Sequence, residues 1–335
     1  MKRAKLFYAA ALSTLFAMAG AVAQDGTPPP STERVVDPLA VQQEFSIDKS
    51  TRMTVPVRIN GSEPYPFIVD TGAERTVIAN DLARTLSLAS GPKLTLATIT
   101  GQTKVDSYVI DRLATTAVNV EGLEAPGLER YNLGAYGLLG IDSLEQHRVL
   151  LDFKRGTMDV LPSPKTKKKT QLEDGMIVVT AIRKAGRMIL SSATIDGMKV
   201  DVILDTGAQG SMGNMALRRR LNASRRTMPY VDVNVRSVTG EILAGQFTQI
   251  KDIEIGKISI QALPIIFSDN YAFEALDLKN RPAIMLGMDA MKMFDRVMID
   301  FANRKVGFDM PGHSSRQTPY KMAALPLPPL AANRP

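Results

Sequence analysis

Tyr65-Pro66-Phe67-Ile68-Val69-Asp70-Thr71-Gly72-Ala73 is an apolar run that ends on an aspartate, and Val200-Asp201-Val202-Ile203-Leu204-Asp205-Thr206-Gly207-Ala208 repeats it later in the chain. Asp and Gly are turn formers, so one copy could be turn punctuation. At average composition Asp-Thr-Gly-Ala arises at roughly 10⁻⁵ per position, so chance does not account for two copies in matching surroundings. Duplication explains why they match. It does not explain why an aspartate closes an apolar strand in both.

The surroundings match on either side. Upstream, Met53 to Ile59 alternates as a strand and Asn60-Gly61 marks a hairpin turn; in the second copy Ser192 to Ile195 precedes Asp196-Gly197. Downstream come short helices, predicted at Asn80–Leu86 and Asn214–Leu221, then hairpins turning at Ile99-Thr100-Gly101-Gln102 and Val238-Thr239-Gly240-Glu241. Each copy closes on an apolar-apolar-Gly segment, Leu138-Leu139-Gly140 or Met285-Leu286-Gly287, and then on Val149 to Phe153 or Val297 to Phe301. Short period-two strands with one or two short helices per copy predict an all-β pair of barrel-like lobes related by a pseudo-twofold axis.

If the lobes pack about that axis, Asp70 and Asp205 meet on it. Two carboxylates about 3 Å apart share one proton. The ionised partner can act as a general base on a water, and the protonated partner can polarise a carbonyl. Gly72 and Gly207 would let the backbone approach the carboxylates, and Thr71 and Thr206 would brace the pair across the interface.

With these residues in view, Asp70-Thr71-Gly72-Ala73-Glu74-Arg75-Thr76-Val77-Ile78 with Leu138-Leu139-Gly140, and Asp205-Thr206-Gly207-Ala208 with Met285-Leu286-Gly287, resemble the retropepsin-like (retroviral-type) aspartic proteases. Two lobes in one chain resemble the pepsin-like arrangement. The resemblance implies an aspartic endopeptidase with Asp70 and Asp205 as its dyad, acting on extended polypeptide as a monomer. It implies flaps around Gly101 and Gly240 and a substrate-holding role for Glu74, which could instead pair with Arg75 or a neighbour. The chain departs from the retroviral pattern at Ile141 and Met288, where an arginine usually braces the dimer. Ala73 and Ala208 lack the hydroxyl common in pepsin-like enzymes, which predicts activity nearer pH 5–7 than pH 2. A silent peptide-binding module, or a site assembled in trans by two chains, are the alternatives.

Composition narrows the chemistry further. The 335 residues hold no cysteine, no tryptophan and two histidines, His147 and His313. Disulfides, thiol nucleophiles and cysteine-ligated metals are excluded, and His147, read as a surface or helix-end residue, would have to carry any imidazole chemistry. Ser211 then has no histidine to activate it. No cofactor or metal is called for. Asp142 and Asp289 read as helix N-caps, and Asp152 and Asp300 as residues that close terminal hairpins.

Met1-Lys2-Arg3-Ala4-Lys5, the apolar run Leu6 to Gly20 and Ala21-Val22-Ala23 read as a cleaved signal peptide at 1–23, which predicts a periplasmic protein. Removing its three basic residues lowers the formal charge from +7 to +4. The remaining basic clusters, Lys165 to Lys169 and Arg218 to Arg226, lack interleaved aromatics, so no nucleic-acid partner is predicted. The predicted layout is a flexible lead-in or pro-segment at 24–44, an N-terminal lobe at 45–163, a basic linker at 164–171, a C-terminal lobe at 172–311 and a disordered Pro-rich tail at 312–335.

Overall fold

The computed structural model describes residues 53–165, 174–184, 187–223 and 229–311, with short strands at Phe7–Tyr8 and Tyr320–Ala323. Most of the predicted signal peptide, the lead-in at 24–44, linker residues 166–171 and most of the tail lie outside the described residues.

The structure is all-β. In the first lobe the strands Thr54–Ile59, Tyr65–Val69, Gly137–Leu139, Val77–Ala79, Asn119–Leu128 and Ser107–Ala114 pair in that order and close a barrel. The second lobe closes the same ring from Arg187–Ile195, Met198–Leu204, Ala283–Leu286, Met212–Gly213, Ile258–Phe267 and Ile242–Ile255, sealed by pairing of Ala193 with Ile255. Each of the six pairings keeps the same sense, parallel or antiparallel, in both rings.

Local sequence explains the elements. Thr54–Ile59 alternates, with Val55, Val57 and Ile59 turned inward. Asn60 and Gly61 both take positive φ (50° and 81°), as do Asp196 and Gly197 (49° and 76°), which is the backbone a two-residue hairpin requires. The helices are short: Asn80–Thr85 and Met215–Ala223 match the predicted pair within two residues. Asn214 caps the second by accepting the Leu217 N–H at 2.8 Å. Arg219 and Arg220 on that helix are exposed, as its basic face predicts.

A five-stranded antiparallel sheet joins the lobes, in the order Thr157–Pro162, His147–Asp152, Arg296–Asp300, Lys305–Asp309, Ile177–Thr180. At its centre the equivalent strands of the two copies pair with each other. Leu150 faces Met298, while Arg148 faces Asp300 and Asp152 faces Arg296. Swapping the copies leaves this register unchanged, so the pseudo-twofold axis passes through the Leu150–Met298 pair. Val149, Leu151, Val297 and Ile299 join the main core, and Leu150, Met298 and Met176 form a separate cluster. Asp152 and Asp300 close their hairpins by accepting the Arg155 and Asn303 N–H groups, each at 2.9 Å.

One expectation changes. Within the tail read as disordered, Tyr320–Ala323 pairs in parallel with Ile258–Gln261. Pro319 and Pro326 bracket a Pro-free run there, which leaves its backbone able to pair with an open strand edge.

Because Met298 is fully buried on the axis, Met298→Ala is expected to cost about 2–5 kcal/mol, read from urea unfolding of the intact chain.

Candidate active site

Each Asp-Thr-Gly segment leaves a central strand of its barrel, and the neighbouring strand holds it there. The Asp70 N–H donates to the Leu139 carbonyl at 3.0 Å and the Asp205 N–H to that of Leu286 at 3.1 Å. The two loops then meet at the lobe interface through four reciprocal bonds. Thr71 N–H donates to Thr206 Oγ1 (3.0 Å) and Thr206 N–H to Thr71 Oγ1 (3.1 Å). Thr71 Oγ1 donates to the Leu204 carbonyl (2.9 Å) and Thr206 Oγ1 to that of Val69 (2.6 Å). All four groups are buried, so each bond replaces a costly orphan.

This clasp brings Asp70 and Asp205 together, both fully buried. A Cβ on Gly72 would lie 2.5 Å from Asp205 Cγ, and one on Gly207 would lie 2.3 Å from Asp70 Cγ. Each carboxylate thus packs on the opposite loop where only glycine fits. Asp70 Oδ1 accepts the Gly72 N–H at 2.8 Å, whereas Asp205 Oδ1 accepts two, from Gly207 (3.0 Å) and Ala208 (3.1 Å). Burial, followed by the charge of Asp205, pushes Asp70 well above the ordinary carboxylate range. Burial also raises Asp205, to about 6, against the pull of the Arg187 cation and its N–H donors. Both carboxyls are thus held above the ordinary range, as expected of a pair that shares one proton, and the extra N–H donor favours the charge on Asp205.

Asp142 and Asp289 depart from expectation. Gly140 and Gly287 occupy the N-cap positions, and the two aspartates sit inside the first turns of Ile141–Leu144 and Met288–Met291. Their carboxylates reach back to the catalytic-type loops. Asp142 accepts the Thr76 N–H (3.0 Å) and hydroxyl (2.7 Å), and Asp289 accepts the Ser211 N–H (3.0 Å) and hydroxyl (2.8 Å). Those hydroxyls in turn accept the N–H of Gly140 and Gly287, each at 3.1 Å. Ser211 is accordingly a structural hydroxyl. Burial raises Asp142, and it raises Asp289 to about 6.

Glu74 lies half-buried on the first loop. Arg75 donates to the Glu124 carbonyl at 3.0 Å. Gly101 (φ 142°) and Gly240 (φ 92°) stand at the tips of hairpins that cross to the opposite lobes. In the first, Ile99 is buried among Phe273, Leu276 and Met285, its carbonyl accepts the Tyr271 N–H at 2.9 Å, and Gln102 donates to Tyr271 Oη at 2.5 Å. In the second, a Cβ on Gly240 would meet the Asn132 side chain at 3.2 Å. Thr100 of the first hairpin donates to Glu241 of the second, so the tips touch.

Sequence reading missed Arg187, the largest fully buried side chain, whose Nε donates to the Gly72 carbonyl at 2.8 Å. A signal for it existed. Arg187-Met188 stands 18 residues before Asp205, and Arg52-Met53 stands 18 before Asp70; Arg52 lies outside the described residues. His147 opens an interlobe strand with Nε2 3.1 Å from the Ala117 carbonyl. Among the described residues no cluster of three or more His, Asp or Glu side chains could hold a metal.

Two family models match the chain. One, described as "gag-polyprotein putative aspartyl protease", covers residues 55–146, and one described as "Aspartyl protease" covers residues 191–290. No curated protein matches it significantly. Each matched segment holds one aspartate of the pair and one crossing hairpin.

Asp289 keeps its proton when folded up to about pH 6, whereas the unfolded side chain loses it near 3.8. The folded state then binds more protons in this window, so the Asp289 contribution to stability falls as pH rises from about 4 to about 6. Asp289→Asn removes that titration, and its melting temperature is expected to fall less steeply over this window than the parent's.

Proposed function

As the chain belongs to the retropepsin-like aspartyl proteases, with one such domain in each lobe, we propose that it is an aspartic endopeptidase whose dyad is Asp70 and Asp205. The observation that carries this reading is the mutual burial of the two carboxyls against glycines of the opposite loops. Protease domains imply a polypeptide substrate.

The asymmetry of the pair assigns the roles. Asp205, with two N–H donors and the lower proton affinity, takes a proton from the attacking water as its oxygen bonds to the peptide carbonyl carbon. Asp70 gives its proton to the carbonyl oxygen, forming a neutral tetrahedral diol. On collapse, Asp205 returns its proton to the leaving amide nitrogen, and a diol hydroxyl returns one to Asp70. The C–N bond breaks and the starting protonation is restored. Thr71, Gly72, Thr206 and Gly207 hold the pair in place.

The crossing hairpins support flap roles for the Gly101 and Gly240 segments, over a cleft that takes extended peptide. Half-buried Glu74, matched by Gln209 at the equivalent sequence position of the other copy, supports an asymmetric substrate site. The clasp joins two lobes of one chain, which supports a monomer with its site formed in cis. The apolar leader supports export to the periplasm, where unfolded segments of envelope proteins are the proposed substrates.

Cleavage of a diverse peptide library by the chain from residue 24 onward tests the reading. Asp70→Asn and Asp205→Asn are each expected to abolish cleavage, and cleavage that survives both changes refutes the dyad. Since Asp205 must be ionised, kcat/KM is expected to fall tenfold per pH unit below about 6; a profile peaking below about pH 3 contradicts the assignment.

A further inference from the structure

We propose that Arg187 is a positioning residue of the carboxylate pair: its buried guanidinium, anchored on the Gly72 carbonyl, supplies the countercharge for the single negative charge that Asp70 and Asp205 share. The inference rests on the protease reading only for its kinetic consequence.

The geometry is specific. Arg187 opens the first barrel strand of the second lobe, yet it reaches across the interface to the first lobe's loop. The residue it grips, Gly72, is the one that faces both carboxyls. The Gly72 N–H lies 2.8 Å from Asp70 Oδ1, and the Gly72 α-carbon packs on the Asp205 carboxyl. An arginine cannot shed its proton, and with no solvent-exposed surface it keeps a full charge inside the protein. A pair that shares one proton carries one negative charge, also fully buried. Either charge alone would be expensive to bury, and together they cancel. The other titratable or charged groups around the loops are Glu74 and Arg75 beyond Gly72, and Asp142 and Asp289 behind them, bound to Thr76 and Ser211. Both aspartates of the pair feel the Arg187 cation as a downward pull.

The cation favours the ionised carboxylate, so removing it shifts ionisation to higher pH. The direct test is NMR titration of isotope-labelled aspartate carboxyls in the full chain, assigned with Asp70→Asn and Asp205→Asn, which needs no turnover. In Arg187→Gln the first ionisation of the pair is expected to rise by about one pH unit or more. The acid limb of kcat/KM should rise with it. Arg187→Lys keeps the charge and should return at least half of the shift. A role in packing alone would lower the melting temperature and leave the titration in place. An unmoved titration in folded Arg187→Gln, or equal shifts in the Gln and Lys variants, overturns the proposal. If Arg187→Gln does not fold, Arg187→Met, which keeps the stem without the charge, takes its place: a rise of about one pH unit or more supports the proposal, and an unmoved titration overturns it. A parent chain that cleaves no peptide refutes the protease reading separately, because the titration is unaffected.

Discussion

Two carboxyl groups buried against each other repel once both ionise, so something else must hold them together. Here that is the clasp of Thr71 and Thr206, in which each threonine binds the other's backbone and the strand behind it. The rest of the molecule is arranged around this constraint. The barrels present the loops, the central strands fix their entry through the Leu139 and Leu286 carbonyls, and the interlobe sheet sets the axis. Asp142 and Asp289 fix the far end of each loop. A loop held at both ends and clasped in the middle cannot relax away from the repulsion, so the pair relieves it by keeping a proton.

The two copies share a backbone plan but not an electrostatic one. One more N–H reaches Asp205 than Asp70, and the lobes contribute Glu74 and Gln209 at equivalent positions. The Arg187 cation and the extra backbone donor both pull Asp205 downward, so the two halves of the pair are held in unequal surroundings.

Much of this was legible along the chain because it is encoded locally. Period-two strands such as Thr54–Ile59, turns such as Asn60-Gly61, the short helix after Asn214 and the repeated Asp-Thr-Gly each need only a few neighbouring residues. What was not legible depends on partners distant in sequence. Asp142 and Asp289 look like N-caps because they open short helices, yet their acceptor sites serve Thr76 and Ser211, 66 and 78 residues away. Arg187 follows Arg183 and Lys184, so it reads as one more surface cation until the fold places it between the lobes. The reach of Ile99 into the second lobe is likewise invisible locally, since a buried hairpin tip and an exposed one share the same turn residues.

The register around Leu150 and Met298 has one more consequence. A strand that pairs with its own equivalent would serve equally well between two separate single-lobe chains, whose association would depend on dilution. Tethering through a segment of about eight residues replaces that dependence with an effective local concentration in the millimolar range or above. The site of a fused pair is then insensitive to how much protein is present. Neither half has to remain self-complementary, so each is free to specialise for one side of an asymmetric peptide.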